Sequence, residues 1–178
     1  QQVQQFLFPK KLPDEDGIKV SAFYQPHHSI GGDYYDFIEM DEDQFLFCIA
    51  DVSGKGIPAA ILMSNFQASL RTLCRRTNLF QDIIKELNYL VMSNAEGQHF
   101  ITFFVAIYDT ISRRLKYVNA GHNPPFLIRD SQEIEMLEEG TTVLGAFNDL
   151  PFLNVGVIED LDKFAICAFT DGLTEILN

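Results

Sequence analysis

The spacing of apolar residues along this chain changes from a strand-like to a helix-like period and then back again. This order restricts the folds that the chain can adopt. Residues 18–24 alternate between apolar and polar side chains, and residues 34–40 and 45–50 are apolar segments around an acidic turn. These patterns predict strands, the last two paired as a hairpin whose second strand is buried on both faces. Over residues 57–76, and again over 80–91, apolar side chains recur every three or four positions, which predicts two amphipathic helices.

Strand-like segments return after the helices and continue to the end of the chain. They are residues 100–108, 115–119, 125–129, 134–137, 152–158 and 164–169. Because strands and helices do not alternate one for one, the order disfavours a Rossmann-like parallel sheet. It favours an α+β sandwich in which helices pack on antiparallel sheets.

The acidic composition limits the partners. Asp and Glu number 25 against 13 Lys and Arg, so the formal net charge is −12. Nucleic acids and anionic membranes bind clustered cations, so neither is expected as a partner. No apolar run approaches the ~20 residues that span a bilayer, and no secretory signal opens the chain. The three cysteines show no paired or metal-ligand spacing. Together these features predict a cytoplasmic location.

Three aspartates share a position at the ends of apolar segments. Asp33 follows a Gly-Gly pair before a predicted strand, Asp51 closes the run 45–50, and Asp171 follows the run 164–169. Carboxylates gathered at one sheet edge would repel each other, and a divalent cation such as Mg²⁺ or Mn²⁺ would relieve that repulsion. The alternative is that each aspartate caps a turn. Spacing alone does not decide between these interpretations.

Four segments carry a recognisable combination of motifs. They read Gly-Gly-Asp-Tyr-Tyr-Asp-Phe at 31–37, Ala-Asp-Val-Ser-Gly-Lys-Gly-Ile-Pro-Ala-Ala at 50–60, Asn-Ala-Gly-His-Asn-Pro-Pro at 119–125 and Phe-Thr-Asp-Gly-Leu-Thr-Glu at 169–175. In this order they closely resemble the signature blocks of the SpoIIE/RsbU phosphatases, bacterial relatives of the type-2C, metal-dependent (PPM) serine/threonine phosphatases. With Phe-Leu-Phe-Pro at 6–9 and Leu-Pro at 12–13, the resemblance covers almost the whole chain.

The resemblance implies a metal-dependent mechanism. In this family two Mn²⁺ or Mg²⁺ ions activate a bridging water, which attacks the phosphorus of phosphoserine or phosphothreonine. By resemblance, Asp51 bridges both ions, Asp33 and the backbone carbonyl of Val52 support one ion, and Asp171 supports the other. The three aspartates are therefore the expected catalytic residues, without a phosphorylated enzyme intermediate.

The resemblance also implies the architecture, a type-2C-phosphatase-like β-sandwich of antiparallel sheets flanked by helices. Residues 1–16 are expected to be a helical connector and linker from an upstream region, and residues 17–178 the phosphatase domain. The relatives continue past the fourth block with helices and a strand that bears a further metal-binding aspartate, so the C-terminal part of the domain is apparently missing here. This gap leaves an alternative function open, a catalytically weak phosphatase-like regulatory binding module.

The expected substrate follows from the same resemblance. It is a phosphorylated regulatory protein of the STAS type, an anti-sigma-factor antagonist, which connects the chain with sigma-factor regulation and stress signalling. A homodimer through the N-terminal helix is a further expectation.

Other polar residues are expected to have lesser roles. Asp36 lies three residues along a strand from Asp33 and faces the opposite side, so its expected role is structural. His122 is expected to be a hydrogen-bonded structural histidine rather than a ligand. Glu175 is expected to cap a helix, and His27 and His28 to be solvated.

The loop after Asp51 resembles two better-known motifs without matching either. A phosphate-binding P-loop would need its first glycine at Ile49 and Ser or Thr at Gly56. Ser53 does not lie in a Gly-x-Ser-x-Gly elbow. Lys55 stands where relatives often have histidine, and the sequence leaves open whether it attracts the substrate phosphate or has no role.

Overall fold

The computed structural model describes residues 7–15, 17–25, 31–77, 79–95 and 97–173, and all that follows concerns those residues. The strands are Asp14–Glu15 (β1), Ile18–Lys19 (β2), Tyr34–Glu39 (β3), Gln44–Val52 (β4), Ile101–Asp109 (β5), Arg114–Ala120 (β6), Phe126–Arg129 (β7), Ile134–Met136 (β8), Gly140–Thr141 (β9), Gly156–Ile158 (β10) and Phe164–Cys167 (β11). The helices are Ile57–Cys74 (α1) and Phe80–Ala95 (α2), and a short 3-10 helix spans Asp171–Leu173.

Two larger sheets and two helices form three layers, and β1 and β2 form a separate two-stranded sheet. The first sheet has the strand order β10-β6-β5-β4-β3, antiparallel throughout, with β9 added in parallel to β6. The second sheet has the order β11-β7-β8 and is also antiparallel. One apolar cluster fills the space between the helices and the first sheet, and another joins the two sheets. The predicted α+β class with antiparallel sheets and flanking helices is confirmed.

Strand β4 shows how alternation along the sequence builds these layers. Leu46, Cys48 and Ala50 are buried in the cluster under the helices. Phe47 and Ile49 point the other way and pack, half-buried, against the cluster between the sheets. The prediction that this strand is covered on both faces is therefore correct, although only the helix face is fully buried.

Both helices lie close to their predicted bounds, because each buries a stripe with the predicted spacing. In α1 the buried side chains include Leu62, Phe66 and Leu70, and in α2 they include Ile84 and Leu87. Within the described residues, neither helix combines the length and apolarity needed to cross a membrane.

The predicted strand at 18–24 is wrong over most of its length. Only Ile18–Lys19 pairs, with Asp14–Glu15. On the side predicted to be apolar, Ala22 is exposed and Val20 and Tyr24 are only partly buried, so this segment has no fully buried strand face. The predicted strand 152–158 is shortened to Gly156–Ile158, and the two-residue strands β1 and β9 were not predicted, because segments this short have no measurable period.

The N-terminal residues that the structure describes pack on the same core. The ring of Phe8 lies 4.6 Å from that of Tyr24 and 4.9 Å from that of Tyr35, centroid to centroid. The side-chain amide of Gln67 donates to the carbonyl of Leu7 at 3.3 Å. The division into a connector over 1–16 and a domain from 17 stays a prediction.

A buried ion pair joins α1 to β3. The carboxylate of Asp36 accepts two hydrogen bonds from the Arg71 guanidinium, at 2.7 and 2.9 Å, and one from the Tyr34 hydroxyl at 2.5 Å. The Asp36 side chain has no exposed surface. The structural role expected for Asp36 is confirmed by these contacts, since a buried carboxylate needs such partners.

Substitution Arg71→Met would remove these donors and leave the Asp36 carboxylate with the Tyr34 hydroxyl and the backbone amide of Phe37. We expect a loss of about 2–3 kcal/mol in the free energy of unfolding, below the cost for a fully buried pair because Arg71 is partly solvated. Urea denaturation measures the change. The matched control is Arg114→Met, whose partner Glu159 is 53% exposed, and it should leave the midpoint unchanged; equal effects of the two substitutions would contradict the expectation.

Candidate metal centre

The β3–β4 hairpin places two of the predicted ligands opposite each other. Tyr34 pairs with Ala50 in the antiparallel register of β3 and β4. Continued by one residue, the same register sets Asp33 opposite Asp51. Asp51 pairs in turn with Thr102 of β5. All three side chains lie on the face of the first sheet that is turned toward the second sheet, because they alternate with the helix-facing residues.

Gly32, the second glycine of the pair before Asp33, lies where the backbone passes very close to the end of β4. A Cβ atom at Gly32 would lie 2.7 Å from the carbonyl oxygen of Val52, which is a steric clash with backbone. Only glycine lets the chain before Asp33 pass against the end of β4. The Val52 carbonyl, predicted as a ligand, therefore lies directly beside the segment that carries Asp33.

Asp171 reaches the same region from the second sheet. Strand β11 ends at Cys167, and Asp171 begins the 3-10 helix that follows. The hydroxyl of Thr170 lies 3.5 Å from Oδ2 of Asp33 and donates a long hydrogen bond to it. The end of the second sheet is thus connected to the aspartate at the start of β3.

The electrostatics of Asp33 reflect acidic residues on both sides of it. Burial raises the pKa of Asp33, and the negative charge of Asp171 raises that pKa further, while hydrogen bonds with Asp51 and Thr170 act in the opposite direction. A hydrogen bond between two carboxyl groups requires a shared proton. A cation between the two carboxylates would neutralise the charge of both without that shared proton.

The chemistry of these donors fits a hard divalent cation. Three carboxylates and a backbone carbonyl offer only oxygen atoms, the ligands that Mg²⁺ and Mn²⁺ prefer. Across the described part of the chain, no three His, Cys, Asp or Glu side chains converge tightly enough to form a ready metal site. Mutual repulsion opposes their closer approach, and a bound cation would reverse the sign of that interaction.

His122 lies at the centre of this region with both ring nitrogens engaged. Nδ1 is 2.9 Å from the hydroxyl of Thr102, and Nε2 is 3.1 Å from the carbonyl oxygen of Phe169. Burial lowers its pKa to about 4, so the imidazole is neutral at physiological pH. The expectation of a hydrogen-bonded histidine is confirmed.

The loop after Val52 is pinned to the residues before β5. Ser53 exchanges two hydrogen bonds with the backbone of Phe100, one through its amide and one through its hydroxyl. Its carbonyl accepts a third from Nδ1 of His99, at 2.8 Å. Lys55 is exposed on this loop, and its role stays open.

Sequence reasoning did not single out Thr102 or Thr170 as contributors to the site. Thr102 is the third residue of the predicted strand 100–108, and only the register of the sheet reveals its position beside Asp51. Thr170 could have been found, because it stands between Phe169 and Asp171 within a recognised motif. His27, His28 and Glu175 lie outside the described residues.

Known proteins resemble this chain in sequence and in fold. A family model described as Stage II sporulation protein E (SpoIIE) matches residues 41–178. The phosphoserine phosphatase RsbU of Bacillus subtilis (strain 168) is 34% identical over 176 residues, covering 97% of this chain and 51% of that protein. The chain therefore spans about half the length of this curated relative.

Solved structures share the fold at lower sequence identity. The PP2C phosphatase domain of SpoIIE from Bacillus subtilis has a TM-score of 0.67 and 20% identity, with 81% of this chain and 42% of that chain covered. RsbX in complex with magnesium has a TM-score of 0.62 and 16% identity, with 75% and 62% covered.

The crowding of negative charge predicts that Asp33→Asn stabilises the metal-free chain. The raised pKa of Asp33 means that the folded state binds this proton more strongly than the unfolded state, so stability is lost as pH rises above the ordinary pKa of an aspartate. An uncharged amide can donate to the Asp51 carboxylate, and we expect a gain of roughly 1 kcal/mol at pH 7 in EDTA.

Thermal denaturation with and without Mn²⁺ tests this expectation. Mn²⁺ should stabilise the unsubstituted chain and should stabilise the Asp33→Asn variant less. The control is Asp130→Asn. Asp130 is exposed and follows the end of β7 that is remote from Asp171. This substitution should change neither the stability in EDTA nor the stabilisation by Mn²⁺. A loss of metal-free stability in the Asp33→Asn variant would contradict the argument.

Proposed function

The chain belongs to the SpoIIE family, and on that premise we propose that it is a metal-dependent protein phosphatase domain that hydrolyses phosphoserine or phosphothreonine. The observation that carries the proposal is the position of Asp33, which follows the register of β3 and β4 to lie opposite Asp51 and whose Oδ2 is 3.5 Å from the hydroxyl of Thr170, the residue before Asp171. These aspartates are far apart in sequence, and none of them belongs to either apolar cluster.

The proposed ligand set assigns one task to each residue. Asp51, between its neighbours on β3 and β5, would contact both ions of a two-ion centre. Asp33 and the carbonyl of Val52 would hold one ion, and Asp171 the other. Mn²⁺ or Mg²⁺ bound there supplies water of lowered pKa and positive charge that stabilises the transferring phosphoryl group.

The chain's own groups support this chemistry without a covalent step. With a cation bound between them, Asp33, Asp51 and Asp171 would fix where a phosphoester can be attacked. The described cysteines offer no alternative nucleophile in the site, since Cys48 and Cys74 are buried in the core. Cys167 is exposed on the outer face of β11, because it alternates with Phe164 and Ile166, which pack toward the first sheet. Burial raises the pKa of both buried thiols, which keeps them protonated.

We extend the proposal to the substrate. RsbU is named a phosphoserine phosphatase, which supports phosphoserine as the group that this chain hydrolyses. The resemblance to the SpoIIE/RsbU phosphatases implies that this phosphoserine belongs to a regulatory protein of the STAS type. The magnesium complex of RsbX supports a divalent ion as the cofactor, with the choice between Mg²⁺ and Mn²⁺ left to measurement.

Hydrolysis of para-nitrophenyl phosphate tests the proposed reaction. Activity should require Mn²⁺ or Mg²⁺ and should be abolished by EDTA. Substitution Asp51→Asn should lower kcat/KM by roughly 100-fold or more, because it removes the ligand shared by both ions. Asp130→Asn serves as the matched control and should retain full activity. Equal activity of the Asp51→Asn variant and the unsubstituted chain would refute the assignment.

Calorimetric titration with Mn²⁺ separates the enzyme from a docking module of the same fold. The phosphatase should bind the ion in the micromolar to low-millimolar range, and the Asp51→Asn variant should not. A folded chain that binds no Mn²⁺ would instead be a catalytically weak binding module.

A further inference from the structure

His122 connects the two sheets at the candidate metal centre. Its backbone follows β6 of the first sheet, and its ring reaches the carbonyl oxygen of Phe169, which follows β11 of the second sheet. Phe169 lies two positions before Asp171 in the sequence. The imidazole therefore holds the segment that delivers Asp171 at a fixed distance from the first sheet.

The direction of each hydrogen bond follows from the partners. A carbonyl oxygen can only accept, so Nε2 of His122 carries the hydrogen and donates to Phe169. In the neutral ring Nδ1 is then an acceptor, and the Thr102 hydroxyl donates to it. Thr102 is the residue paired with Asp51 across β4 and β5, so the ring is oriented by the strand position next to that carboxylate.

The turn that carries His122 is itself held in place. The backbone amide of His122 donates to Oδ1 of Asn119 at 2.8 Å, and the side-chain amide of Asn119 donates to the carbonyl of Leu137 at 3.1 Å. Gly121 has a φ of 67°, and a Cβ there would lie 2.5 Å from a methyl group of Val143. The backbone of the turn that carries His122 is thus fixed, in addition to the two nitrogen atoms of the ring.

We propose that His122 is a positioning residue, which sets the separation between Asp171 and the two aspartates of the first sheet through its hydrogen bond to the Phe169 carbonyl. This inference rests on the proposed function, because it assigns His122 a task in metal binding. Residues that orient metal ligands from outside the ligand set commonly change metal affinity 10- to 100-fold when replaced.

Two amide substitutions separate the contacts of the ring. Glutamine places its amide nitrogen near the position of Nε2 and can still donate to Phe169, whereas asparagine reaches only the position of Nδ1. We therefore expect His122→Gln to keep Mn²⁺ affinity within roughly threefold of the unsubstituted chain, and His122→Asn to weaken it by roughly tenfold or more.

The measurement is calorimetric titration of each folded variant with Mn²⁺, with thermal denaturation in EDTA as the second readout. Turnover of para-nitrophenyl phosphate at saturating Mn²⁺ should recover in the His122→Asn variant, since the defect lies in binding the ion. A role in stability alone would lower the melting temperatures and leave the dissociation constants equal.

The outcomes distinguish this inference from the proposed function. Equal Mn²⁺ affinity in the His122→Gln and His122→Asn variants would overturn the positioning role while Mn²⁺ binding by the unsubstituted chain still stood. Absence of Mn²⁺ binding by the unsubstituted chain would overturn the proposed function and this inference together. Weaker binding in the His122→Asn variant alone would support the positioning role.

Discussion

Repulsion between carboxylates is the constraint on which the centre depends. Antiparallel pairing sets Asp33 against Asp51, and the end of the second sheet adds the charge of Asp171. Partial burial makes this arrangement more costly than it would be in water. The sandwich has to be stable enough to hold three like charges together, and its two apolar clusters and long central strands supply that stability.

Asp33, directly before β3, and Asp36, within β3, differ in how their charges are compensated. Asp36 faces the helices, where Arg71 neutralises it within the protein. Asp33 faces the other sheet, where its neighbours are further carboxyl groups. The pleat of the chain separates these environments, so two aspartates that are three residues apart have opposite electrostatic surroundings.

The sequence was sufficient for the parts of the fold that repeat a strong local pattern. Both helices and the strands β3, β4, β5 and β6 were predicted because many residues contribute to one periodic signal. Residues 18–24 gave the same alternation, but only Ile18–Lys19 has a partner strand. Local pattern cannot distinguish these cases, since pairing depends on distant segments.

The same limit applies to the candidate centre. The three aspartates were found by their positions at strand ends and by the motifs around them. The neighbours that connect them, Thr102 and Thr170, depend on the register of β5 and on the approach of the second sheet. The role of His122 as a hydrogen-bonded residue was predicted, but its partners are 20 and 47 residues away in the chain.

The contact between Gly32 and Val52 has a consequence for how this protein can vary. The space beside Gly32 has room for a hydrogen atom but not for a methyl group. Gly32 therefore cannot be replaced without strain, even by alanine. Surface glycines with open space around them, such as Gly97, carry no such restriction from their neighbours. The evolutionary freedom of the hairpin is therefore smallest at a residue that bears no side chain and performs no chemistry.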